Sequence, residues 1–377
     1  MSELKILMLN HEFPPVGGGA SPITFELSKQ LVQMGHRVDV VTMHYGDLPR
    51  FETVDGINIY RTPALRKRPD ICYTHELATY LPGALIKTVR LARKEKHDII
   101  HCHFIVPGGP LAWITSKITG IPFLITCHGS DVPGYNPDRF KAMHKALLPS
   151  WRFLVRRTQL LTSPSESLKQ LILQSCQDAR ITVIPNGIYT ERFGKGPKEK
   201  SILMCSRILP RKGFQYVIEA VKDMELDWQV HVVGEGPYLS GLKQLAEGSK
   251  TPIKFCGWLD NNDPRFYELF SKSAIFIFPS EAENFPSVLL EALASGMAII
   301  TSTAGGCPEV VGKAGILVEP RDTKGIRNML TKLVDSDQLR QQLGKQALER
   351  ARQFNWENIA RKYLNCYSQI LNTPAGN

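Results

Sequence analysis

Short apolar runs alternate with amphipathic stretches along the chain. Ile6 to Leu9 leads into Gly17-Gly18-Gly19, and Ile23, Leu27, Leu31 and Met34 then recur at a helical period. Ser21 is placed to cap that helix, Pro22 to open it and Gly35 to close it. Strand-like runs follow at Val38 to Val41, Ile99-Ile100, Phe123 to Thr126, Gln159 to Thr162 and Ile181 to Ile184. After the polar stretch Gly194 to Lys200 a second cycle begins. Its strands are expected at Ile202 to Cys205, Val230 to Val233, Ile253 to Cys256, Ile275 to Phe278, Ala298 to Thr301 and Ile316 to Val318. Strands alternating with helices predict right-handed βαβ units, parallel sheets and an α/β fold in two doubly wound halves. The boundary falls near 185–200, giving domains over 1–185 and 186–355. The segment 356–377 carries Ile359, Tyr363, Tyr367, Ile370 and Leu371 on one side of a last helix, expected to pack back on the first domain.

Length and composition narrow the class. A chain of 377 residues suits two α/β domains, and no run reaches the ~18 apolar residues of a membrane span. The opening residues lack the apolar core and cleavage site of a signal peptide. Eight singly scattered cysteines without a Cys-x-x-Cys pair point to reduced thiols, no structural zinc and a cytoplasmic location. The net charge of +10 is uneven: residues 1–190 hold 22 Lys+Arg against 15 Asp+Glu, hence +7, and the remainder 24 against 21, hence +3. The first half is thus the candidate for an anionic partner.

Two glycine turns follow strands, Gly17-Gly18-Gly19 and Gly234-Glu235-Gly236, and either lets a backbone approach a phosphate or base. Neither completes the dinucleotide fingerprint, because Pro22 and Leu239 stand where the third glycine belongs, which disfavours an oxidoreductase. His101 and His103 share one face of a strand end, but no third metal ligand stands out and no metal site is expected. His128-Gly129-Ser130-Asp131 follows a strand, where open α/β sheets bind ligands. After the first strand of the second half, Arg207 offers a bidentate fork and Lys212 a point charge, both suited to a diphosphate. In Glu283-Asn284-Phe285-Pro286-Ser287-Val288-Leu289-Leu290-Glu291, Pro286 suits a first helical position, so the amides near Ser287 and Val288 form an anion site. Glu283 and Glu291 then flank a bound diphosphate and can each hold hydroxyls.

In that combination the chain resembles the retaining glycosyltransferases of family 4, whose signature is two glutamates separated by seven residues, here Glu283 and Glu291. The same resemblance takes in Gly17 to Gly19, His128 to Asp131, Pro185-Asn186-Gly187, Arg207 with Lys212, Glu291 to Gly296 and Gly305 to Glu309. Glu281 would leave nine intervening residues, so the spacing selects Glu283. Asn284-Phe285-Pro286 departs from the family's usual flexible Gly-Phe-Gly type segment at the sugar site.

The resemblance implies a GT-B fold, two Rossmann-like domains facing across a cleft, with retention at the anomeric carbon and no cofactor or metal. It implies a nucleotide-sugar donor, UDP-linked first and GDP-linked next, whose departing diphosphate is offset by Arg207 and Lys212. Glu291 would bind the ribose, and Glu283 and His128 the donor sugar; Gly234, Trp258 and Leu259 would border the base, with Gly18, Gly19 and Asn186 completing the donor site. Gly19, His103 and Asp131 would meet a saccharide, lipid-linked or small-molecule acceptor. Arg139-Phe140-Lys141 through Trp151 to Arg157, with Arg66 to Arg68 and Lys87 to Lys96, mixes cations with apolar residues. That mixture suits peripheral contact with an anionic inner membrane face. A GT-B sugar-nucleotide epimerase is the main alternative, and no nucleic-acid-binding motif is present.

Overall fold

The computed structural model describes residues 3–69, 72–135, 137–194, 196–259 and 263–373, with side chains left out over 137–143. The chain divides into two compact units, 1–186 with 356–377, and 187–355.

In the first unit, β1 (Lys5–Leu9), β2 (Arg37–Met43), β3 (Phe51–Val54), β4 (Ile57–Thr62), β5 (Ile99–His103), β6 (Phe123–Thr126), β7 (Leu160–Ser163) and β8 (Ile181–Val183) form one sheet. Its order is β3-β4-β2-β1-β5-β6-β7-β8, parallel except for the β3–β4 hairpin. The helices are α1 (Ala20–Gln33), α2 (Thr74–Glu95), α3 (Gly108–Thr119), α4 (Pro137–Arg157) and α5 (Glu166–Ser175). The apolar runs read as strands are buried on both faces: Ile6 to Leu9 and Ile99-Ile100 are at most 1% exposed. Each fully buried side chain of that size contributes roughly 1.5–3 kcal/mol, and together they make these runs the centre of the sheet.

The second unit holds β9 (Glu199–Cys205), β10 (Gln229–Val233), β11 (Ile253–Gly257), β12 (Ser273–Phe278), β13 (Ala298–Ser302) and β14 (Gly315–Val318), all parallel in the order β11-β10-β9-β12-β13-β14. Its helices are α6 (Phe214–Val221), α7 (Leu239–Ala246), α8 (Pro264–Lys272), α9 (Ser287–Ala294), α10 (Cys307–Val311), α11 (Thr323–Asp335) and α12 (Asp337–Arg352). This is the Rossmann strand order, whose ligand crevice opens where the order reverses, outside β9 and β12. The first unit reverses in the same way outside β1 and β5. Helix α13 (Trp356–Asn372) then returns to the first unit, packs on α1, and buries Ile359, Tyr363, Tyr367 and Ile370.

Several expectations need correction. The β3–β4 hairpin was not anticipated, although Asp55-Gly56 with φ of 50° and 79° is the two-residue turn that joins antiparallel strands. Helix α1 starts at Ala20, so Ser21 lies inside its first turn, where its hydroxyl donates to the Val16 carbonyl (2.7 Å). Glu199 and Lys200 already belong to β9, which shortens the polar connection; Lys195 lies outside the described residues. Leu371, placed on the buried side of the last helix, is 37% exposed. All eight cysteines are free thiols.

Candidate functional site

The loop after β9 and the segment after β12 carry the chemistry of the second unit. Ser206 to Gly213 runs from the end of β9 into α6 and sets Arg207, Arg211 and Lys212 above the sheet's reversal point. Arg207 is exposed, whereas Lys212 is 8% exposed, its ammonium lying over the Phe278 ring (5.3 Å). Burial holds the Lys212 ammonium below its ordinary pKa, against the pull of Glu283. Lys212 and Glu283 form a close ion pair with both side chains 10% exposed. The Ser280 hydroxyl donates to the same Glu283 oxygen (2.6 Å), and Ser302 in turn holds the Ser280 carbonyl (2.5 Å).

The backbone fixes Glu283 as well. Its carbonyl accepts from the Gly306 N–H (3.0 Å), and a Cβ on Gly305, at φ 55°, would lie 2.1 Å from that carbonyl oxygen. Only glycine fits there. Glu281, two residues earlier, is taken up elsewhere: Arg321 donates to it twice (2.6 and 3.0 Å) and Tyr216 once (3.1 Å). The residue chosen by spacing is therefore the one beside Lys212.

Helix α9 begins at Ser287, with Pro286 as the flanking cap at φ −71° and ψ 116°, one position outside the place expected for it. Leu289 N–H donates to the Pro286 carbonyl (3.1 Å), and helix geometry leaves the Ser287 and Val288 amides at the N-terminal end without an intrahelical acceptor. One turn on, Glu291 faces a pocket lined by Ser206, Arg207, Gly234, Trp258, Leu259 and Val288. Burial raises the Glu291 carboxyl from an ordinary glutamate value to about 7. Trp258 is 55% exposed at this pocket, Leu259 is buried in it, and Cys205, Val233 and Phe266 complete the wall. The glycine turn serves the same place. Gly234 has φ 134°, and a Cβ there would meet the Ser206 carbonyl at 1.9 Å, so glycine lets β10 close against the loop carrying Arg207. Asn284 and Phe285 do not face outward: they are 8% and 6% exposed, and Phe285 packs edge-on against Phe354 at 5.6 Å. The Phe285 side chain belongs to the core, because the chain turns its ring inward as it enters α9, so its ring does not line the pocket.

The first unit answers with histidines. His101 and His103 share a face of β5, as the period of two requires, and their rings stack at 4.4 Å. His101 is bonded at both nitrogens, to Tyr367 Oη and Thr126 Oγ1 (2.7 Å each). His103 Nδ1 lies 3.0 Å from His128 Nε2. His11, at the end of β1, meets Phe104 edge-on (5.1 Å), and Phe104 packs on His128 (4.7 Å). Burial keeps all four rings neutral: it lowers His101 and His128 to about 3, His11 to about 4, and His103 well below the ordinary value.

Two acceptor assignments change here. His103 is fully buried, so it reaches a ligand only through His128. Asp131 is 5% exposed and accepts from the backbone N–H groups of Ile105 (2.8 Å), His128 (3.0 Å) and Gly129 (3.1 Å). Its carboxylate shapes the loop that presents His128. At the glycine loop, Gly18 N–H donates to Glu12 Oε2 (2.9 Å), whose other oxygen lies 3.6 Å from the buried Arg66 guanidinium. Gly19 precedes Ala20 as the α1 cap, with nothing within 4 Å of a Cβ built on it. Asn186 is the last residue of this unit before the chain crosses to the second.

The stretch read as membrane-facing is partly interior. Trp151, Leu154 and Val155 are buried, and Trp151 donates to the Asp131 carbonyl (2.8 Å). Arg152, Phe153, Arg156 and Arg157 remain exposed, and the Arg139, Phe140 and Lys141 side chains lie outside the described residues. Among the described residues no helix is long and apolar enough to cross a membrane. Sequence reasoning missed His11, Ser280, Cys205 and Phe266. His11 and Ser280 each follow a strand's C-terminal end, a position that could have marked them.

Two family models match overlapping parts of the chain: Glycosyltransferase Family 4 over residues 17–192 and Glycosyl transferases group 1 over residues 188–350. N-acetyl-alpha-D-glucosaminyl L-malate synthase of Bacillus anthracis is 27% identical over 95% of this chain and 95% of its own. Among solved structures, sucrose-phosphate synthase from Thermosynechococcus elongatus superposes with a TM-score of 0.82 at 21% identity, over 97% of this chain and 99% of its own. Anabaena HepE, solved with UDP-glucose, gives 0.74 at 19%, over 97% and 100%. At these identities the two structures establish the fold, GT-B. With both family models matched and that fold in place, the chain belongs to the family 4, group 1 glycosyltransferases.

Proposed function

We propose that this glycosyltransferase is a metal-independent, retaining hexosyltransferase. It takes a hexose or N-acetylhexosamine from a nucleoside-diphosphate sugar, UDP-linked first and GDP-linked next, and places it on a hydroxyl of a saccharide, glycolipid or small molecule. The observation that carries this reading is the pocket of the second unit, where Arg207, Gly234, Trp258, Leu259, Val288 and Glu291 meet. A ribose diol matches Glu291, a base matches the wall of Trp258 and Leu259, and a diphosphate matches the α9 amides with Arg207 and Lys212. Those two cations and the helix end stabilise negative charge as the nucleoside diphosphate departs, where other transferases use a divalent ion.

Glu283 then binds donor hydroxyls when the arriving diphosphate draws Lys212 away from it. In the first unit, His128 is the sugar-contacting imidazole. The relative solved with UDP-glucose supports the uridine preference, and the relative named for L-malate keeps small acceptors within the reading. The exposed cations and Phe153 at the end of α4 support peripheral contact with anionic lipid, which flotation with anionic vesicles would detect.

The test is a thermal-shift panel of UDP, GDP, ADP and their sugars. A nucleotide present at ~100 times its Kd should stabilise the protein by about 2.7 kcal/mol. Glu291→Ala should abolish the shift while the free variant still melts cooperatively. A panel in which no nucleotide raises Tm would overturn the reading. Nucleoside diphosphate released only when acceptor is present separates transfer from epimerisation.

A further inference from the structure

His103 has one partner and one orphan. Its Nδ1 shares a hydrogen with His128 Nε2 at 3.0 Å, while its own Nε2 is enclosed without any partner. The neighbouring His101 is satisfied at both nitrogens by Tyr367 and Thr126, so it offers His103 only a stacked face. Two neutral imidazoles joined by one hydrogen bond have two proton arrangements. If His128 Nε2 carried the hydrogen, His103 Nε2 would be a buried N–H with no acceptor, the rarer and costlier state. If His103 Nδ1 carries it, the orphan is a bare ring nitrogen, and His128 must hold its proton on Nδ1.

We infer that His103 is a positioning residue that holds His128 in its Nδ1–H tautomer, so that His128 meets the sugar as a hydrogen-bond donor. This rests on the reading of His128 as the sugar contact. The hydrogen bond at one ring nitrogen decides which form the other takes. Around the pair, His101 stacks on His103, Phe104 separates His128 from His11, and Asp131 grips the backbone amide of His128. None of these supplies a polar atom to His103 Nε2, so the assignment is stable to their arrangement.

The experiment is 15N NMR of histidine-labelled protein at pH 7.5, with His128 assigned by its loss in His128→Asn. The wild type should show a protonated Nδ1 and a bare Nε2 on His128. His103→Leu should move the proton toward Nε2, the form a free imidazole prefers. His103→Asn, whose amide can replace the lost donor, should keep the wild-type pattern. In transfer assays His103→Leu should lower kcat by about tenfold with donor KM nearly unchanged, and His103→Asn should recover most of it. A wild-type His128 protonated at Nε2, or a tautomer unmoved by His103→Leu, would overturn the inference. Equal loss in both variants with an unmoved tautomer would make His103 a packing residue. Failure of transfer with every sugar nucleotide would instead sink the functional reading, and the NMR result would still decide the tautomer.

Discussion

The two units reverse their sheets in the same way and fill the reversal point with opposite chemistry. Outside β9 and β12 the second unit gathers three cations and two carboxylates, with Lys212 and Glu283 paired and Glu291 in the pocket wall. Outside β1 and β5 the first unit gathers His11, His103 and His128, all held neutral by burial, and its helix N-terminus is met by the chain's own Glu12. The difference teaches that strand order supplies a crevice, while the residues just past the strand ends decide what enters it. On the function proposed above, the charged crevice suits a diphosphate, and the neutral imidazoles of the other suit uncharged hydroxyls, which they hydrogen-bond without desolvating a charge.

The largest effect should come from breaking the charged side of this contrast. Lys212→Ala removes the partner of a nearly buried carboxylate and, on the proposed function, a cation that offsets the leaving group's charge. Turnover should fall by roughly 10²–10³ and stability by about 3 kcal/mol. Turnover within threefold of wild type in a folded variant would show that Lys212 is structural alone.

The second comparison is pH. His11, His101, His103 and His128 of the first unit have folded pKa values below the unfolded value near 6.5. The unfolded chain therefore takes up protons first, and the first unit should lose stability as pH falls below about 6.5. Glu291 has the opposite sign. Its folded value of about 7 lies above the unfolded one, so its contribution weakens as pH rises from about 4.5 to 7. Glu291→Gln should raise Tm by a few degrees at pH 8 and hardly at all at pH 4.5. Hydrogen exchange followed from pH 7 to 5 should show protection lost first in β5 and β6. Equal loss in both units would refute the contrast.

The smallest effect on stability should come from Gly19→Ala. Nothing lies within 4 Å of the added methyl and the backbone there is already helical, so stability should change by ~0.5 kcal/mol or less. Any tenfold fall in transfer would then report a ligand lying against the α1 end. Unchanged kinetics would remove Gly19 from the site.

Much of this was legible in the chain itself. Ile6 to Leu9, Phe123 to Thr126 and Ile275 to Phe278 read as strands because parallel strands buried on both faces are continuous apolar runs. The spacing of Glu283 and Glu291 distinguished the first from Glu281, and the structure shows why that matters: Glu281 is held by Arg321 and Tyr216. The hairpin at Asp55-Gly56 was missed because its strands are short and half polar, leaving only the turn as a signal.

Phe285, Asp131 and His103 were assigned outward-facing roles because residue type and position do not say which way a side chain turns. Sequence alone determined the alternation of strands and helices and the place of polar residues just past strand ends, since both follow from local period and burial. Only the tertiary structure decided that Lys212 pairs with Glu283, that Asp131 serves backbone amides, and that His103 reaches His128. Those pairings join segments far apart in sequence, and whether a polar atom is satisfied depends on every neighbour that folding brings to it.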